Sequence, residues 1–161
     1  HEADKDYDMI RGLNDEAFVK DYYELLPLES DNAGFLFDFG KLLRSNARYN
    51  DSNAMLRRGA LCSADPMFHV LMGNNYRDMG HCNLAEQSYE KAFAIMPNRL
   101  YPLYQLMLMY RDNGNVEKAR SMAERVLALK PKIESPATKE MKDIAKGIMH
   151  DKRGSRKSLI E

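Results

Sequence analysis

The sequence predicts an all-α protein: a right-handed α–α superhelix of about three and a half helix–turn–helix repeats, closed by a C-terminal capping helix. Three observations predict it. Residues 66–99 place small side chains, Gly73 and Ala85, at set distances from large ones, Tyr76 and Tyr89, and end on Pro97. The same residue types return one repeat away, at Gly40 before this stretch and at Gly114, Ala119 and Pro131 after it. The composition agrees, since 11 Met, 9 Gly, 6 Pro and no Trp describe helices packed with flexible apolar side chains.

The spacing has a mechanical reason. Gly73 and Ala85 remove bulk where two antiparallel helices cross, and Tyr76 and Tyr89 fill the space beside them. Ala92 lets the second helix approach the next repeat, and Pro97 cannot continue a helix because it lacks an N–H. The order Met72-Gly73, Tyr76, Gly80, Ala85, Tyr89, Ala92, Pro97 is similar to the tetratricopeptide repeat. On that register residues 33–65, 66–99 and 100–133 are repeats, 1–32 a partial repeat and 134–150 the capping helix of one domain, 1–150. Departures are confined: Ser52 stands where Ala85 would, Leu56 where Tyr89 would, and Met107 where Gly73 would.

Tyr7 and Ile10 precede a turn signal at Gly12-Leu13-Asn14-Asp15, with Asn or Asp available as an N-cap. A helix over 15–26 follows, with Ala17, Tyr22, Leu25 and Leu26 as its expected buried stripe and Pro27 as its stop. It reads as the second helix of a repeat whose first is cut short, which leaves an apolar N-terminal edge. The next helix carries Leu36, Phe39, Gly40 and Leu43 at helical spacing. Its partner is expected to be capped by Asp51 or Ser52 and to hold Met55, Leu56 and Leu61.

Asp65-Pro66 opens the central repeat as N-cap and first helical residue. Gly80-His81-Cys82-Asn83 and Asp112-Asn113-Gly114-Asn115 make the inner turns of the second and third repeats. Pro102 is tolerable in the first turn of its helix, and Val116 to Leu129 forms the helix after the last turn. Ser135-Pro136 starts the final helix, with Ala137, Met141, Ile144 and Ile148 on one face and Lys139, Lys142 and Lys146 toward the other. Residues 151–161, with Lys152-Arg153-Gly154-Ser155-Arg156-Lys157, read as a basic, flexible tail.

Chemistry is sparse by comparison. The net charge is zero, with 24 basic and 24 acidic residues, so no global field favours nucleic acid as a partner. No apolar run approaches the roughly 18 residues that span a bilayer. Nucleophile elbow, phosphate loop and zinc-protease signatures are missing. His69 falls at a packing position, and the adjacent His81 and Cys82 lack common metal-ligand spacing. Cys62 and Cys82 read as free thiols, with a disulfide between them as the alternative. No catalytic residue, cofactor or metal is expected, and an enzyme is the weakest of three readings.

The fold instead offers a groove lined by the first helix of each repeat. Its expected lining is Phe37, Lys41 and Arg44, then Val70, Asn74 and Arg77, then Tyr104, Leu108 and Arg111. Arg44, Arg77 and Arg111 hold equivalent positions and suit a carboxylate or phosphate. The alternative is local pairing with Asp38, Asp78 and Asp112. Repeat proteins that clamp the C-terminal carboxylate of a chaperone peptide use Lys, Asn and Arg at groove positions, and only Asn74 matches here. A mixed apolar and basic groove suits an extended or helical peptide, or another protein's surface. The competing reading is a spacer, or an element that self-associates through the N-terminal edge.

Two segments carry more than the repeat pattern: Pro97-Asn98-Arg99-Leu100-Tyr101-Pro102-Leu103-Tyr104, and Lys130-Pro131-Lys132-Ile133-Glu134-Ser135 with Glu140-Met141 after it. Together with residues 35–40 and Asp65-Pro66, they resemble the C-terminal repeat region of O-antigen ligase or polymerase membrane proteins of the Bacteroides type. The resemblance covers about residues 10–150. It implies a soluble appendage to a membrane portion N-terminal to this chain, and places catalysis in that portion. It implies a location at the bacterial inner membrane, with the periplasmic side ranking first; a free-standing chain would be cytoplasmic.

Overall fold

A computed structural model describes residues 15–151, so Tyr7, Ile10, the turn through Asn14 and the tail from Lys152 lie outside the described residues. Among the described residues there are eight helices and no strand. These are α1 (residues 15–25), α2 (Ala33–Ser45), α3 (Tyr49–Cys62), α4 (Met67–Asp78), α5 (Cys82–Ile95), α6 (Tyr101–Asp112), α7 (Val116–Ala128) and α8 (Pro136–Met149). They fall into two compact units, His1–Asn75 and Tyr76–Glu161, with the boundary inside α4.

In the first unit, α1 meets α2 through aromatic rings. Tyr22 stacks on Phe35 at 5.1 Å and on Phe39 at 5.2 Å, while Tyr23 meets Phe39 edge-on at 4.8 Å. The buried stripe of α1 differs from the expected one. Val19 is buried and Tyr22 and Leu26 pack beside it, whereas Ala17 and Leu25 are exposed. Val19, Tyr22 and Leu26 follow the i, i+3, i+7 rule, and that choice turns Ala17 to the opposite side and Leu25 to the flank of the stripe.

Asn32 caps α2 by accepting from the Phe35 N–H at 3.1 Å, and Leu36, Phe39, Gly40 and Leu43 are buried. The start of α3 also departs from expectation. The helix begins at Tyr49 after Arg48, and neither Asp51 nor Ser52 caps it. Asp51 pairs with Arg48 at 3.1 Å, and Ser52 is fully buried with its hydroxyl donating to the Gly40 carbonyl at 2.7 Å. A hydroxyl at a crossing point cannot stay unpaired, so it uses the backbone it touches.

Leu61 is 89% exposed, correcting its expected burial beside Met55 and Leu56. Gly59 faces inward in its place, and a Cβ there would lie 2.2 Å from Phe68 Cε1. Gly40 has the same relation to Leu56, at 2.6 Å from Leu56 Cδ2. Asp65 Oδ1 accepts from the Met67 N–H at 2.9 Å, so Asp65-Pro66 does open α4.

In the second unit, Gly80 (φ +80°) and Gly114 (φ +76°) make the turns before α5 and α7, where only glycine is unstrained. Ala85, Tyr89 and Ala92 are fully buried on α5, as are Ala119's neighbours Ala123 and Val126 on α7. Met107 and Ala123 reverse the large and small positions that Gly40 and Leu56 hold in the first unit. Both are fully buried where α6 packs on α7.

Asn115 caps α7 by accepting from the Lys118 N–H at 3.1 Å. Ser135 and Thr138 form a reciprocal capping box on α8 with Pro136 in its first turn. Ala145 and Ile148 are the buried residues of α8, with Met141 and Ile144 half-buried beside them. Ala137, expected on that face, is exposed in the first turn, short of the packed stretch. Lys142 Nζ donates to the Leu129 carbonyl at 2.7 Å, covering the end of α7. Cys62 and Cys82 are both free thiols.

Candidate functional site

The expected lining residues stand at i, i+4 and i+7 on α2, α4 and α6, which puts each trio on one helical face. In the first unit, Phe37 is half-buried and meets Phe68 edge-on at 5.3 Å. Lys41 is exposed with its ammonium 5.6 Å from the Phe37 ring centroid. Arg44 lies 5.9 Å from the Tyr49 ring centroid and donates from Nη1 to Asn75 Oδ1 at 3.0 Å. Val70 and Asn74 are buried, so Val70 contributes to packing and the open part of this face is Phe37, Lys41 and Arg44.

In the second unit, Arg77 donates from Nη1 to Gln105 Oε1 at 2.7 Å and from Nε to Asp78 Oδ1 at 3.1 Å. Partial burial pulls its pKa down, but Tyr89 and the charge and hydrogen bond of Asp78 outweigh that and hold it raised. Tyr104 and Leu108 are half-buried on α6, and Arg111 is exposed with its Nε 3.1 Å from Asp112 Oδ1. Local pairing with the following Asp therefore occurs for Arg77 and Arg111.

A further device was not legible in the residue order. Arg44 and Arg77 each reach from one first helix to a buried carboxamide on the next, Asn75 and Gln105. The two acceptors differ in type and stand at non-equivalent repeat positions, so no period reveals them. Such a bond fixes a long cation in one rotamer while leaving part of the guanidinium in solvent. The face then offers an aromatic or aliphatic surface beside immobilised positive charge.

Among the described residues no group of three or more His, Cys, Asp or Glu is arranged to hold a metal ion. Cys82 accepts from Asn113 Nδ2 at 3.0 Å, and His69 is half-buried. No described helix is long and apolar enough to cross a membrane.

No family model and no curated protein matches the chain. Solved structures share its fold. MamA is similar over 89% of this chain and 85% of its own, at 19% identity and a TM-score of 0.63. The type III secretion chaperone SycD of Yersinia enterocolitica, solved with a peptide of the translocator YopD, covers 76% of this chain and 92% of its own at 17% identity and a TM-score of 0.63. The Sgt2 TPR domain of Aspergillus fumigatus covers 71% of this chain and 77% of its own at 17% identity and a TM-score of 0.56. The chain thus has the all-α superhelical fold of tetratricopeptide repeats.

Proposed function

We propose that this chain is a non-catalytic protein-interaction module that holds a peptide or protein partner against the first helices of its repeats. The observation that carries the reading is the pair of braced guanidinium groups. Arg44 on Asn75 and Arg77 on Gln105 have already lost rotamer freedom, so a partner carboxylate meets preorganised cations. Phe37 supplies apolar surface on the helix that carries Arg44 in the first unit, and Tyr104 and Leu108 supply it on α6 in the second. Structures of this fold that hold partner proteins support the reading: SycD with a YopD peptide, PcrH with the chaperone-binding region of PopD, and the CopN–Scc3 complex.

We further propose that the module is the soluble C-terminal repeat domain of a membrane-bound O-antigen ligase or polymerase in surface-polysaccharide assembly. This rests on the sequence resemblance of residues 97–104 and 130–135 to that family. Membrane association and glycan chemistry would then reside in a portion N-terminal to this chain, with the repeat domain at the inner membrane on its periplasmic side. Sequencing the reading frame upstream of His1 tests it: a run of membrane helices is expected, and an adjacent start codon contradicts it.

A second reading, a spacer that self-associates through its N-terminal edge, is favoured by the exposed Phe18, Leu25 and Leu28 (55, 48 and 83%). One experiment separates the two. A photo-crosslinking amino acid is placed at Phe37 or Leu108, and at the exposed Gln87 on α5 as control, in cells of the source organism. Discrete adducts to another protein from Phe37 and Leu108 alone support the module. Equal labelling from Gln87, or adducts only between copies of this chain, contradicts it.

A further inference from the structure

In the unit Tyr76–Glu161, the connection between α5 and α6 and the segment ahead of α8 come together around one cleft of about 610 Å³. That is within the size range of pockets that hold a ligand. Ile95, Met96, Ile133 and Met141 line it, and the first three are 41, 41 and 74% exposed. Single apolar side chains on a surface need no explanation, but several converging on one hollow do. The two charged side chains that line the cleft, Arg99 and Lys132, are both cationic and both exposed.

Of these lining residues, Arg99, Lys132, Ile133 and Met141 belong to the two segments that exceed the repeat pattern. The repeat register accounts for Pro97 and Pro131, which close helices, but asks for neither Arg99 nor Lys132 nor Ile133. Within this unit, none of Arg77, Tyr104, Leu108 or Arg111 lines the cleft.

We infer that this cleft is a second docking site, for a peptide segment that carries bulky apolar side chains flanked by Asp or Glu. The apolar side chains bury against Ile95, Met96, Ile133 and Met141, and the flanking carboxylates meet Arg99 and Lys132 at the rim. Exposed rim charges contribute little affinity but decide between partners, because a like-charged segment is repelled. A segment with the sign of the chain's own Lys152–Lys157 is therefore disfavoured.

The test uses the full chain labelled with ¹³C at the methionine methyls, where Met96 and Met141 report on the cleft. Two synthetic peptides are titrated, each with a Leu-Leu-Ile centre, one flanked by Asp and Glu and the other by Lys and Arg. The acidic peptide is expected to shift Met96 and Met141 saturably and to bind about tenfold or more tightly than the basic one, a gap of about 1.4 kcal/mol. Arg99→Glu with Lys132→Glu should reverse that order, and Ile133→Asp should remove binding with the helical circular dichroism unchanged. No shift at Met96 and Met141, or equal affinity for both peptides, overturns the inference. Two other occupants would also overturn it. Shifts at these methyls that depend on protein concentration without peptide mean a second copy fills the cleft. Shifts on removing residues 152–161 mean the tail does.

Discussion

The side-chain amide of Asn75 donates to Ser52 Oγ at 2.9 Å, inside the first unit and away from water. The same nitrogen reaches Asn53 Oδ1 at 2.8 Å, Ser52 Oγ donates to the Gly40 carbonyl, and Asn75 Oδ1 receives Arg44. What reads along the chain as a decayed repeat, Ser for Ala, is the centre of a buried polar network that also holds Arg44 in place.

This network makes an expectation opposite to the repeat pattern. Restoring the pattern with Ser52→Ala should stabilise if small size is all that matters. The network predicts a loss of about 1–3 kcal/mol, because the Gly40 carbonyl and the Asn75 amide lose a buried partner. Urea unfolding followed by circular dichroism gives the sign directly.

Exchange of bulk between partner helices gives a second expectation. Ala123→Leu should overpack the α6–α7 crossing and cost about 1–3 kcal/mol. Combining it with Met107→Ala should recover part of that loss if the two positions share one volume. Additive losses in the double-mutant cycle would show that they do not.

A third concerns Gly59, whose missing side chain makes room for the Phe68 ring. Gly59→Ala should destabilise by about 1–3 kcal/mol, and the added Phe68→Leu should make the alanine cheaper to accept. Thermal unfolding of the four proteins in the cycle reports the coupling.

The Tyr110 hydroxyl donates to Glu86. Burial first, and then the hydrogen bond and charge of Glu86, raise the phenol pKa above its ordinary value. A folded-state pKa above the unfolded one of about 10 contributes stability that is complete below that pH. The contribution is lost as pH climbs from there through the folded-state value. Stability of the wild-type chain relative to Tyr110→Phe should therefore be flat from pH 7 to 9 and decline above pH of about 10. A difference that stays constant to pH 11 would contradict the pairing.

Much of the fold was legible because its signals are local. Gly80 and Gly114 mark left-handed turns, Ser135-Pro136 and Asp65-Pro66 mark helix starts, and Ala85 and Ala119 mark crossings. What escaped depends on long side chains or on which of two faces is buried. Val19 competes with Ala17 and Leu25 for the core face of α1, and only the rings of α2 decide it. Leu61 yields the core face of α3 to Gly59 because Phe68 needs the space. Of the expected lining residues, Val70 proved to be core, while the anchors of Arg44 and Arg77 lie at unrelated repeat positions. An arginine can span several residues of register, and hydrophobic periodicity does not record where it lands.

The most direct test of the account is comparative recovery of partners from envelope extract. Three versions of the chain are used as bait: the wild type, Arg44→Ala/Arg77→Ala/Arg111→Ala, and the exposed-face control Gln87→Ala/Glu124→Ala. The account predicts at least one protein recovered by the wild type and the control and lost with the triple arginine variant. Recovery of the same proteins in the same amounts by all three would contradict it.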